Sequence, residues 1–159
     1  MSSVYFDEEL VLLDPECADR ESVIRALAGI MTRKGLVRST FLEAVLERER
    51  KLPTGLPSKP VGVAIPHTDP EHCVRPSLAV ARLKKPVKFG LMGDSSAQVD
   101  VWMVFLLALT SGDEHMNFLC SLTDLFQNAS LMEELMAAGD SGRVAALVRQ
   151  NLKTCQGGT

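Results

Sequence analysis

Three histidines, His67, His72 and His115, are the side chains of this 159-residue chain best suited to nucleophilic or metal chemistry. An imidazole is largely neutral near pH 7, so it keeps a lone pair for attack or for ligation. His67 directly follows Val61-Gly-Val-Ala-Ile-Pro66. His115 follows Asp113 and Glu114, where the pattern opens a helix, and the free N–H groups of a helix N-terminus favour an anion. Two histidines on different elements can therefore meet over one anionic group. His72 sits behind Pro70 and Glu71 in a polar loop and is expected to be exposed. A second possibility is a metal site built from His67, His72 and Cys73 with His115 as fourth ligand, although this spacing matches no known zinc pattern. The chain carries no GxSxG elbow. It also lacks a GxxxxGK[ST] or GxGxxG loop, so any phosphoryl donor here is not a nucleotide held in a standard cradle.

The elements that must position these groups are legible in outline. Val61, Val63 and Ile65 alternate with Gly62 and Ala64 as in a packed strand, and Pro66 ends it, having no N–H for the ladder. His67 is thus presented at a strand end. Before it, Lys51 to Pro60 holds three prolines and a glycine and is expected to be a loop. Leu10–Leu13 is expected as a first strand. Val23, Ala26, Leu27, Ile30 and Met31 share one helical face, with Asp19 as cap and Gly35 at the end. Thr40-Phe-Leu-Glu43 has the form of a capping box opening a helix through about Arg50. Strands are expected at Leu78–Leu83, Val87–Phe89 and Val99–Leu109, with a turn at Gly90–Gly93. Asp113 is placed as the cap of a helix through about Gln127. Ser130-Leu-Met-Glu133 matches a second capping box, with Gly139 at that helix's end, and a last helix spans about Ser141 to Leu152. This order predicts an α/β sandwich with helices covering a sheet. It is expected to form one domain, residues 1–159, with an ordered core from about 5 to 152.

Composition narrows the class. Net charge is −3, from 17 basic and 20 acidic side chains with no basic cluster, which argues against nucleic acid. The longest apolar run, Val101–Leu109, falls far short of the roughly 20 residues of a spanning helix, and the N-terminus lacks the pattern of a signal peptide. A cytoplasmic location is expected, without membrane insertion. Cys17, Cys73, Cys120 and Cys155 form no CxxC pair, so reduced thiols and no disulfide are expected.

The run Arg48-Glu-Arg-Lys-Leu-Pro-Thr-Gly55, followed by Gly62-Val-Ala-Ile-Pro-His67, resembles the A component (EIIA) of the bacterial sugar phosphotransferase system (PTS), fructose/mannitol type. That type carries an Arg-Glu pair, a Thr-Gly and a Gly-x-Ala-hydrophobic-Pro-His motif. Phe105-Leu-Leu-Ala-Leu109 and His115-Met-Asn-Phe-Leu119-Cys-Ser-Leu122 resemble its second motif, an apolar strand leading to a histidine that opens a leucine-rich helix. The resemblance covers nearly the whole chain. Within the type, Pro66-His-Thr-Asp-Pro-Glu71 and Ala79-Val-Ala-Arg-Leu-Lys-Lys-Pro-Val87 look most similar to galactitol-type components.

The resemblance implies a single-domain mixed β-sheet flanked by helices, and a phosphoryl carrier. His67 would accept a phosphoryl group from the phosphohistidine of the carrier HPr. It would then pass the group to a cysteine of the B component, EIIB, for sugar phosphorylation at the membrane component EIIC. His115 would orient and stabilise, Arg48 would bind the phosphoryl oxygens, and Thr54 would support them with a hydrogen bond. Arg48 is favoured over Arg50 because it directly precedes Glu49. No metal or cofactor is expected, since in-line phosphoryl transfer asks mainly for positioning and charge stabilisation. Other readings stay open: a regulatory, nitrogen-related EIIA, or a non-enzymatic module in which His67 is structural or binds metal. Arg48 could equally be a helix-end cation, Thr54 a turn cap and Glu49 a structural residue.

Overall fold

The computed structural model describes residues 4–152 and 155–156, the side chains of Glu114, His115, Cys155 and Gln156 excepted. Its centre is a long antiparallel hairpin, β5 (Ser77–Leu91) against β6 (Asp94–Ala108). Gly93 at φ +86° supplies the left-handed residue that the reversal requires. The inner half of each strand is covered on both faces: residues 77–83 and 103–108 are all buried. That double covering explains why the sequence there, Ser77 and Arg82 apart, is apolar on both faces rather than alternating. The outer half of β6 returns to a more exposed, polar pattern.

Around the hairpin the described strands form a mixed seven-stranded sheet of order β3-β4-β6-β5-β1-β7, with β2 also on β5. β1 (Val4–Tyr5) and β2 (Val11–Leu13) run parallel to β5 at successive points, and β7 (Cys155–Gln156) lies beside β1. On the other side β4 (Gly62–Ala64) runs parallel to β6, and β3 (Gly55–Leu56) is antiparallel to β4. Among the described residues five α-helices cover the sheet: α1 (Arg20–Arg33), α2 (Phe41–Lys51), α3 (Gly112–Phe126), α4 (Ala129–Ala137) and α5 (Ser141–Asn151). The mixed sheet flanked by helices is the architecture expected. No helix among the described residues is long and apolar enough to cross a membrane.

Helix α1 shows how local signals were honoured. Asp19 accepts from the Ser22 N–H at 2.8 Å, and Gly35 at φ +71° closes the far end. There Gly35 N–H bonds the Thr32 carbonyl and Leu36 N–H the Met31 carbonyl, a Schellman ending. Val23, Ile24, Leu27, Ala28 and Met31 are sealed into the core between.

Several local expectations need correction. Thr40 makes no side-chain cap bond; its hydroxyl lies 2.8 Å from His72 Nδ1 instead. That contact leaves the His72 side chain only 22% exposed, not the free loop residue expected. The cap of α4 is Asn128, bonded to the Leu131 N–H, and not Ser130. Helix α3 opens at Gly112, so Asp113 lies inside its first turn. The two strands expected at Leu78–Leu83 and Val87–Phe89 are one, with a register shift between Arg82 and Val87 where Lys84 to Pro86 interrupts the pattern. Leu10 closes a short 3-10 turn, so β2 starts at Val11, and the expected loop 51–60 contains β3.

Candidate functional site

Strand β4 reaches its place because it starts on a glycine. A β-carbon on Gly62 would collide with the Asp100 carbonyl oxygen of β6. Beyond β4, Pro66 still offers its carbonyl to the Leu107 N–H at 3.1 Å, so the segment stays tied to the central strand up to the residue before His67. Because Ile65 precedes a proline, its backbone is confined to extended conformations, which aims its carbonyl.

The half-buried ring of His67 uses that carbonyl. Its Nδ1 stands 2.7 Å from the Ile65 oxygen. A carbonyl can only accept, so this contact places the proton on Nδ1 and leaves the lone pair on Nε2. The ring is thereby held as the tautomer whose outer nitrogen carries the lone pair.

Arg48, in the last turn of α2, lines the same cavity as His67, of about 410 Å³, together with Lys51, Leu52, Thr54 and Met92. Its Nη1 lies 3.6 Å from Asp69 Oδ1, while its Nε is buried with no hydrogen-bond partner among the described residues. A buried donor without an acceptor is costly, and an anion entering the cavity would relieve that cost. Arg50 is engaged elsewhere, with Glu47 at 3.1 Å and Glu21 at 3.6 Å. Of the two arginines, the one beside the histidine is Arg48. Lys51 also lines the cavity, its ammonium paired with Glu47 at 3.0 Å, and Leu52 and Met92, 57% and 41% exposed, give it an apolar rim.

Thr54 lies beneath the cavity, nearly inaccessible, in a chain of hydrogen bonds. Its N–H and hydroxyl donate to the two carboxylate oxygens of Glu49, both at 2.8 Å, and its Oγ1 accepts from the Ile65 N–H at 3.2 Å. The hydroxyl proton is therefore committed to Glu49 rather than pointed at a ligand, and Thr54 supports the site from below. Burial pushes the Glu49 carboxyl up to about 7, against the pull of the Thr54 bonds and of Arg20 and Arg48. Glu49, Lys51 and Asp69 were not singled out as site residues from the sequence. Lys51 was findable, standing one helical turn after Arg48.

His115 is the fourth residue of α3, and its side chain lies outside the described residues. Among the described residues no group of three or more His, Cys, Asp or Glu side chains is arranged to hold a metal ion. Cys73 is buried, with its thiol pushed up to about 11 by that burial.

Comparison with known proteins points the same way. The family model described as phosphoenolpyruvate-dependent sugar phosphotransferase system, EIIA 2, matches residues 4–151. The fructose-specific EIIA component of Haloferax volcanii is 30% identical over 132 residues, 82% of each chain. A galactitol-specific EIIA component of Escherichia coli (strain CFT073) is 27% identical over 118 residues, 74% of this chain and 78% of its own. Other curated relatives are far longer, and this chain spans 22% of one and 17% of another. Among solved structures, a complex of mannitol enzyme IIA with phosphorylated enzyme IIB from Escherichia coli superposes with a TM-score of 0.75. The identity is 23%, over 92% of this chain and 99% of that one, so this likeness bears on the fold.

Proposed function

As this chain belongs to the EIIA 2 family of the phosphoenolpyruvate-dependent sugar phosphotransferase system, we propose that it is a single-domain cytoplasmic phosphoryl carrier with His67 as its acceptor. The observation that carries this reading is the Nδ1 contact to the Ile65 carbonyl in a cavity shared with Arg48. The lone pair of His67 Nε2 attacks the phosphorus of HPr phosphohistidine, forming one P–N bond as the donor's P–N bond breaks. The proton stays on Nδ1, hydrogen-bonded to the Ile65 carbonyl, throughout, so no separate base is needed. A cysteine thiolate of EIIB then attacks the same phosphorus, and the bond to Nε2 breaks.

Arg48 offers planar donors to phosphoryl oxygens as charge spreads over them, and Lys51 adds to the positive field. His115 is assigned the orienting role by resemblance. Leu52 and Met92 at the rim suit a modest surface that two partners meet in turn. Sugar identity would be decided mainly by the membrane component, and a galactitol or fructose pathway is the candidate destination. Incubation with phosphorylated HPr tests this reading: the chain should gain an acid-labile, base-stable phosphate that His67→Ala cannot take. Equal labelling of that variant would overturn it.

A further inference from the structure

The hydrogen bonds under the cavity form one continuous path from α2 to the reacting ring. Glu49 on α2 accepts both Thr54 donors; Thr54 accepts the Ile65 N–H; Ile65 accepts from His67 Nδ1. Glu49 is 5% and Thr54 3% exposed, so water does not compete for these bonds. Glu49 is also the residue directly after Arg48. Fixing its carboxylate fixes the end of α2 from which the Arg48 side chain enters the cavity. Arg20 of α1 and Arg48 of its own helix are the charged groups acting on this carboxylate, and both favour its ionised form.

We propose that Glu49 is a positioning residue for phosphoryl transfer: through Thr54 and Ile65 it sets the orientation and tautomer of the His67 ring and its placement relative to Arg48. The proposal rests on His67 being the phosphoryl acceptor. Three features support it beyond a plain packing role. Both carboxylate oxygens are used on a single residue, which constrains direction as well as distance. A buried carboxyl is costly to keep unless its bonds are satisfied, so a simple core position would be better served by an apolar side chain. The path also ends on the ring nitrogen that decides which of the two nitrogens can attack.

Two measurements test it on the full chain. First, nitrogen-15 NMR of the unphosphorylated protein reads the His67 tautomer: Nδ1–H should dominate in the wild type and become mixed with Nε2–H in Glu49→Gln and in Thr54→Val. Second, single-turnover uptake from phosphorylated HPr should slow by about 10- to 100-fold in both variants, the scale of a small misplacement of reacting groups. Thr54→Ser, which keeps the hydroxyl, should recover most of the rate lost in Thr54→Val. The double variant should be no slower than the slower single one, because both cut one path.

A folded Glu49→Gln with wild-type tautomer and rate would overturn the proposal. So would Thr54→Ser behaving like Thr54→Val, a comparison that decides the matter even if Glu49→Gln does not fold. If the wild type takes up no phosphate while the tautomer still shifts in the variants, the carrier function fails and the positioning of the ring by Glu49 stands.

Discussion

His67 Nδ1 and the Ile65 carbonyl oxygen stand 2.7 Å apart, two residues from each other along the chain. So short a loop means that the imidazole is oriented by its own backbone, and that backbone is pinned by Pro66 on one side and by Thr54 on the other. The orientation of the ring is therefore built into the strand end.

The two arginines of α2 should separate cleanly. Arg48→Ala removes the donor in the His67 cavity and should slow phosphoryl uptake by roughly 10²- to 10³-fold, as loss of a preorganised charge-stabilising donor does elsewhere. Arg50→Ala breaks only exposed pairs with Glu47 and Glu21 and should leave the rate near that of the wild type. Parallel single-turnover assays check the contrast, and equal defects would contradict it.

Glu49 should leave a mark on stability as a function of pH. Its carboxyl titrates at about 7 in the folded protein, above its ordinary value of 4.5. Between those values the folded state holds a proton that the unfolded state has released. Stability from this group is thus full below about pH 4.5 and is lost as pH rises through 7, by up to roughly 3 kcal/mol. Denaturant unfolding of wild type and Glu49→Gln at several pH values isolates the term: their difference should move against the wild type over this interval and flatten above it. A difference independent of pH would contradict the burial argument.

Gly62 should not tolerate a methyl group. The obstacle is the Asp100 backbone of the neighbouring strand, which cannot rotate away as a side chain could. Gly62→Ala should cost roughly 1–3 kcal/mol, seen as a lower Tm, and should also slow phosphoryl uptake because β4 carries His67.

Arg82 fastens α4 to the sheet. Its Nη1 donates to the carbonyls of Leu135, Met136 and Ala138 at the end of α4, the first of which also accepts from the Ala138 N–H, and its Nη2 meets Asp14 at 3.3 Å. Arg82→Met would take this donor from the helix-end carbonyls in a largely buried setting and leave Asp14 unpaired, and should cost roughly 2–4 kcal/mol. The denaturant midpoint should fall with little change in slope.

Much of this was legible in the chain because the signals were local. Asp19 and Gly35 bracket α1 with backbone chemistry that involves only their near neighbours. Pro66 and the alternation before it were enough to place His67 at a strand end. What stayed hidden depended on distant partners. The capping box at Thr40 failed because its hydroxyl meets His72, 32 residues away. β5 read as two strands because Lys84 to Pro86 looks like an ending, whereas a register shift carries the ladder past it. Glu49 was the hardest to see. It was open as a structural residue, but its burial comes from the return of Thr54 over the end of α2, which no local pattern shows.

The decisive measurement is phosphoryl uptake from phosphorylated HPr, with the site of modification mapped on the intact chain. One phosphate per chain should appear on Nε2 of His67, labile in acid and stable in base, and should leave on addition of EIIB. Phosphate on Nδ1, on another residue, or undiminished in His67→Ala would contradict the assignment of His67 Nε2 as the nucleophile.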